Sequence, residues 1–258
     1  MRKIFLAALV LFLVCQTAPA EDEWQKFQSR HFVVYYKEAP ESFAETVAET
    51  AEQLYEEIAE SLGFTRYHGW SYDNRATIYI YRDHEEYTSY ARRLRWSHGL
   101  ANARIKEIRT YPSAHGFFDS TLPHELGHII FREFVGLDTN LPLWMDEGVA
   151  MFQEKAKRWG ANKAVKKAIE DDMFIPLEEL AAMRFTAETS DEIVNIFYAE
   201  AASVVYYMIV EQGESRFENF CRKLSDGMSF AEALDRAYPR FKGISDLNRQ
   251  WVEYLKSQ

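Results

Sequence analysis

The spacing of apolar residues changes along the chain between the alternation of strands and the three-and-four spacing of helices. This change constrains the fold more than any other feature. Residues 31–36 (HFVVYY) and 76–82 (ATIYIYR) are rich in β-branched and aromatic side chains, which predicts two strands. Between them, apolar residues recur at three and four positions until Gly63, which predicts a long helix. Ser42 and Glu45 have the spacing of a capping box at the start of that helix.

A shorter helix near 83–95 and a third strand at 102–111 (NARIKEIRTY) are predicted next, and from Ser120 onward the helical period dominates. The sequence therefore predicts an α+β fold in one domain, 21–258. A small α/β lobe with a mixed sheet would occupy 21–119, and a mostly helical lobe would occupy 120–258.

Residues 1–20 have the pattern of a secretory signal peptide. Two basic residues precede an apolar run, and Ala-Pro-Ala ends the segment, so we expect cleavage after Ala20 and a periplasmic or secreted protein. The alternative is lipid attachment at Cys15, but Val14 stands where such sites carry a small residue. No later stretch approaches the roughly 20 apolar residues of a membrane helix, so no transmembrane segment is expected after cleavage.

Charge and cysteine content exclude two further possibilities. The leader holds two of the 30 basic residues and none of the 40 acidic ones, so its loss changes the net charge from −10 to −12. Such an acidic chain is a poor partner for nucleic acid. Cys221 would then be the only cysteine, which excludes an intrachain disulfide.

Two histidines lie one helical turn apart in the segment 120–136 (STLPHELGHIIFREFVG). In a helix, His124 and His128 project from the same face and can bind one small cation together. Glu125 lies about 100° around the helix, within reach of a water on that cation. The alternative is that these are ordinary polar residues of a packed helix.

An acidic residue in the apolar segment 141–152 (LPLWMDEGVAMF) favours the metal site. Glu147 follows His128 by nineteen positions, and a carboxylate on an apolar helix face is costly unless it binds a cation. Two neutral imidazoles and one carboxylate form a known catalytic zinc set with one position left for water. The sequence therefore predicts a Zn²⁺ site.

These motifs resemble those of the gluzincin metallopeptidases, in particular the peptidase MA-like domains of exported bacterial proteins. The resemblance rests on HELGH, on WMDEGVA with eighteen residues between His128 and Glu147, and on the later FYAEAASVVYYMIVEQG. It implies a zincin-like fold with the active site in a cleft between the two lobes. It also implies that His124, His128 and Glu147 are the zinc ligands and that Glu125 is the general base.

The resemblance further implies a tyrosine that stabilises the oxyanion of the reaction, and Tyr198 occupies the equivalent position. The alternative is that Tyr198 only packs against the zinc helix.

The partners of the zinc histidines are not evident from the sequence. Some gluzincins have an aspartate four residues after the glutamate ligand, where this chain has Met151. Asp146 is expected to point elsewhere on its helix, and Glu154 to approach only the far side.

The resemblance also implies that a peptide or protein substrate binds as an added strand along the edge of strand 102–111. The alternative is an ordinary edge strand that Arg104, Lys106 and Arg109 protect.

The predicted function is zinc-dependent hydrolysis of peptide bonds by a metal-activated water, with Glu125 as general base. The alternative is a non-catalytic, zinc-stabilised binding or assembly module. Glu125 disfavours that alternative, because a purely structural zinc site has no need of a general base.

Overall fold

A computed structural model describes residues 24–64, 69–91, 98–114, 116–186 and 188–258. The strands are β1 (Gln25–Gln28), β2 (Phe32–Tyr36), β3 (Ala76–Ile80), β4 (Gly99–Asn102) and β5 (Glu107–Thr110). The helices are α1 (Glu41–Ser61), α2 (His84–Ala91), α3 (Leu122–Val135), α4 (Leu143–Gln153), α5 (Lys155–Glu170), α6 (Leu177–Ala182), α7 (Asp191–Tyr206), α8 (Glu214–Ser225), α9 (Phe230–Ala237) and α10 (Ile244–Ser257). A 3₁₀ turn covers Tyr72–Asn74, and π-helical turns cover Phe117–Thr121 and Tyr207–Glu211.

The strands form one mixed sheet in the order β1-β2-β3-β5-β4. The inner pairs β2–β3 and β3–β5 are parallel, and the outer pairs β1–β2 and β5–β4 are antiparallel. The α+β class, the mixed sheet near the N-terminus and the helical C-terminal part are therefore confirmed.

The sheet and α1 pack together through the apolar residues that strand alternation and helical spacing place on their facing sides. Alternate residues of β2 and β3 are buried, as expected for strands with one face on a core. The buried residues of α1 recur at three and four positions: Ala44, Val47, Ala48, Ala51, Tyr55 and Ile58.

The predicted start of α1 is wrong. The helix begins at Glu41, directly after Pro40, and no side chain caps its first turn. Pro40 has the extended conformation of an N-cap residue, so Ser42 already lies inside the first turn and cannot form the capping box with Glu45. The shorter helix is observed as α2, and residues 92–95 of that prediction lie outside the described residues.

The third predicted strand is in fact a hairpin. The chain turns between Asn102 and Glu107, where Lys106 has a positive φ of 48°, so β4 and β5 lie antiparallel side by side. β5 is an inner strand, and the edge of the sheet on this side is β4. Lys106 ion-pairs with Glu133 and Arg109 lies on β5, so neither protects that edge as the sequence suggested.

The helical part surrounds α7, which packs against α4 and α5. By length and apolar composition, the stretch Asp191–Glu211 would be able to cross a membrane, and it is the one such helix among the described residues. The expectation that no later stretch approaches the length and composition of a membrane helix is therefore wrong for this stretch. More than half of its most apolar window is buried inside the fold (56%), as expected for the central helix of a core.

Candidate metal centre

Helix α3 brings the two histidines of the HELGH motif onto one face. His124 and His128 lie four positions apart, and their Nε2 atoms are separated by 3.1 Å. The segment before them, Phe117–Thr121, forms a π-helical turn that runs directly into α3. The two imidazoles are therefore held on a continuous helical backbone.

Helix α4 supplies the third group. Glu147 Oε2 lies 3.6 Å from His124 Nε2 and 3.8 Å from His128 Nε2. The three residues that the sequence predicted as metal ligands thus converge, with their ligand atoms all within 4.8 Å of one another.

Two glycines allow this convergence, because each lets a neighbouring helix approach closely. A Cβ on Gly127, between the two histidines, would lie 3.1 Å from Ala150 Cα of α4. A Cβ on Gly148, next to Glu147, would lie 2.4 Å from the carbonyl oxygen of Ala201 on α7. Side chains at these positions would push α3, α4 and α7 apart.

A carboxylate lies near the outer ring nitrogen of each histidine. Glu154 Oε1 lies 2.9 Å from His124 Nδ1, and Asp146 Oδ1 lies 3.5 Å from His128 Nδ1. Both expectations for these acids were wrong. Asp146 reaches His128 because α3 and α4 pack closely, and Arg132 also holds it through a 3.0 Å contact.

Glu154 reaches His124 from the position directly after α4. Its φ of −80° is still helical, whereas its ψ of 89° turns the chain away from the helix axis after this residue. Glu154 is 1% exposed. It accepts a hydrogen bond from Ser120 and ion-pairs with Lys157 at 2.7 Å.

These groups line an open cavity of about 1180 Å³. Strand β4 lines one side, and residues of α3, α4, α5 and α7 line the rest. Glu125 faces this cavity and is 8% exposed, and Tyr198 faces it from α7.

The model of one family, described as the peptidase MA superfamily, matches residues 63–257. The chain belongs to the peptidase MA superfamily. Membership indicates a metallopeptidase-like function, since peptidases of this superfamily generally depend on a metal. A search of curated proteins found no significant match.

The spacing of the three groups in this peptidase MA domain fits a tetrahedral zinc ion. Bonds of about 2.1 Å at tetrahedral angles place ligand atoms about 3.4 Å apart, close to the observed 3.1, 3.6 and 3.8 Å. The carboxylates near the two Nδ1 atoms leave the Nε2 atoms for a metal, and a carboxylate beside the outer nitrogen is common for zinc-bound histidines.

The electrostatics of the centre also favour a cation. Burial alone would lower the pKa of His124, but the carboxylates of Glu147 and Glu154 outweigh it and raise this pKa to about 10. Burial disfavours ionisation of Asp146, yet its contacts with His128 and Arg132 lower its pKa to about 2. The acidic groups are therefore ionised at neutral pH and concentrate negative charge around the imidazoles.

Tyr198 keeps its hydroxyl proton in this environment. Burial raises its pKa above the usual value, and the negative charges of Glu147, Glu125 and Glu154 raise it further. The ring also packs against Phe185, with 6.2 Å between the centroids. Tyr198 thus has both a packing role and a hydroxyl that can donate a hydrogen bond.

Two further groups in this peptidase MA site, besides the partners of the histidines, are not evident from the sequence. Ser120 donates a hydrogen bond to Glu154. Gly99 opens β4 and lies directly against Glu125. Neither position carries a local sequence signal, because each is defined by a contact with a distant part of the chain.

Proposed function

We propose that the chain is an exported, zinc-dependent metallopeptidase of the gluzincin type that hydrolyses peptide bonds. The convergence of His124, His128 and Glu147 at one point of an open cavity, beside Glu125, carries this proposal. A closed structural zinc site would use a fourth side chain as ligand. The described residues present only these three at this point, together with an acid of the kind that general-base catalysis needs.

Each group of residues has its own role in the proposed hydrolysis. His124, His128 and Glu147 hold the zinc ion, which when bound supplies a Lewis acid that polarises the substrate carbonyl and acidifies water. Glu125 takes a proton from the attacking water on its carboxylate and delivers it to the leaving amine. Glu154 and Asp146 fix the orientation of the two imidazoles.

Tyr198 is proposed to stabilise the tetrahedral intermediate. Its hydroxyl stays protonated, so it can donate a hydrogen bond to the oxyanion that develops as water adds to the carbonyl. A well-placed donor of this kind contributes about 3 kcal/mol to transition-state stabilisation.

The substrate is proposed to bind as an extended peptide along β4, the exposed edge of the sheet beside the cavity. β4 packs against α3, so a peptide added to its free edge would run past the HELGH residues. Backbone groups of an edge strand bind extended peptides independently of their side chains. The active site would then lie in a cleft between the sheet and the helices.

The experiment that tests the function compares the chain from residue 21 onward with its Glu125→Gln variant on a mixed peptide library. Both proteins should bind about one zinc per chain, because Glu125 is not a ligand. Only the parent protein should cleave peptides. Equal behaviour of the two proteins towards the library would favour a non-catalytic zinc-stabilised module instead.

A second pair of variants tests the ligand set. His128→Ala and Glu147→Ala should each lose bound zinc, measured by elemental analysis of the purified protein. Zinc retained in both variants would refute the proposed ligands.

A further inference from the structure

The first residue of the edge strand lies against the carboxyl group of Glu125. A Cβ added to Gly99 would lie 2.5 Å from Glu125 Oε1, 2.8 Å from Cγ and 2.9 Å from Cδ. Real Cβ atoms essentially never come this close to another heavy atom. Position 99 therefore has no room for a side chain while Glu125 keeps this conformation.

Strand alternation explains why the contact falls on this position. Gly99 pairs with Thr110 and Ala101 pairs with Ile108, and both partners are fully buried. The side-chain directions of Gly99 and Ala101 consequently share the face of the sheet towards the helices, while Leu100 points the other way. A side chain at position 99 would point at Glu125.

The backbone does not explain the glycine. Among the described residues, the glycines with positive φ lie at positions 63, 116, 136, 213, 227 and 243, and Gly99 has no such angle. Any L-residue can adopt the backbone conformation of Gly99. The space that Glu125 occupies does give a reason for a glycine here.

We propose that Gly99 is a positioning residue for Glu125. The missing side chain on β4 leaves a recess that fixes the carboxylate of Glu125 between the edge strand and the metal-binding histidines. This inference rests on the proposed role of Glu125 as general base. A displacement of about 1 Å in a reacting group can lower a rate about 100-fold, so loss of the recess affects the chemical step.

Gly99→Ala tests the inference, because the added methyl group can be accommodated by rotation of the glutamate side chain without a change of fold. In hydrolysis of the best library peptide, kcat should fall by about 10-fold to 100-fold. KM, zinc content and melting temperature should stay close to those of the parent.

A double-mutant cycle separates positioning from general damage to the strand. Glu125→Asp removes one methylene group and withdraws the carboxylate from Gly99, so Gly99→Ala should lower kcat less in the Glu125→Asp background than in the parent. Equal losses in the two backgrounds would overturn the proposal. So would an unchanged kcat in Gly99→Ala when the parent is active.

A crystal structure of Gly99→Ala gives a readout that does not depend on activity. We expect the carboxylate of Glu125 to move by about 1 Å or more while the backbone of β4 stays unchanged. A shifted strand with Glu125 unmoved would overturn it. If the parent protein cleaves no peptide, the proposed function fails, and this structure still decides whether Gly99 sets the position of Glu125.

Discussion

Glu154 contacts the outer ring nitrogen of His124 and so helps to keep its other nitrogen directed at the metal position. Its carboxylate holds His124 Nδ1 at 2.9 Å, so Glu154→Gln should weaken zinc binding about 10-fold to 100-fold. Competition with a chromophoric chelator measures this affinity. Glu170→Gln makes the same charge change at the exposed end of α5 and should leave the zinc affinity unaltered.

The proton on His124 gives a second prediction. The metal-free protein holds this imidazole with a pKa of about 10, so it is protonated at pH 7. A ligand nitrogen must be deprotonated, so zinc binding at pH 7 should release about one proton from His124. Calorimetry in two buffers of different ionisation enthalpy counts the released protons, and identical heats in the two buffers would contradict the prediction.

The distance between helices α4 and α7 sets the position of Glu147 in the site. Gly148→Ala places a methyl group against the Ala201 carbonyl oxygen and Val205, so α4 and α7 must separate. We expect a loss of about 1–3 kcal/mol in the free energy of unfolding, measured with urea. Gly160→Ala, which fills open space in α5, should instead stabilise by up to about 1 kcal/mol. Equal free energies for Gly148→Ala and the parent would contradict this account.

The elements that the sequence predicted correctly are those whose periodicity is local. The alternation in β2 and β3 and the helical spacing in α1, α3 and α4 each follow from which face is buried. The same spacing placed His124 and His128 on one face, and the apolar surroundings of Glu147 marked it as their partner.

The features that the sequence did not reveal depend on tertiary contacts. The β4–β5 turn has no glycine or proline, and its Lys106 tolerates a positive φ while its ammonium group contacts Glu133 and the Asn74 carbonyl oxygen. The contact of Glu154 with His124 depends on how closely α3 and α4 pack, which a projection of α4 alone does not show.

Removal of the metal should change the stability of the whole molecule. The proposed zinc ion would bind the folded state, so its removal by a chelator should lower the melting temperature. The folded-state pKa of His124, about 10, exceeds its ordinary value of 6.5. In the metal-free protein this group therefore contributes stability that is present below about pH 6.5 and is lost as pH rises towards 10.

The difference in melting temperature between the zinc-loaded and metal-free proteins should accordingly widen from pH 7 to pH 9. Zinc also binds more tightly at the higher pH, which acts in the same direction. Calorimetric scans of both forms at the two pH values measure this difference. A gap that narrows would show that His124 does not titrate as described.

The centre combines α3, α4 and the residue after α4 with β4 at the edge of the sheet. Under the proposed function, hydrolysis requires these segments to have packed together, so a chain becomes active only once its tertiary structure has formed.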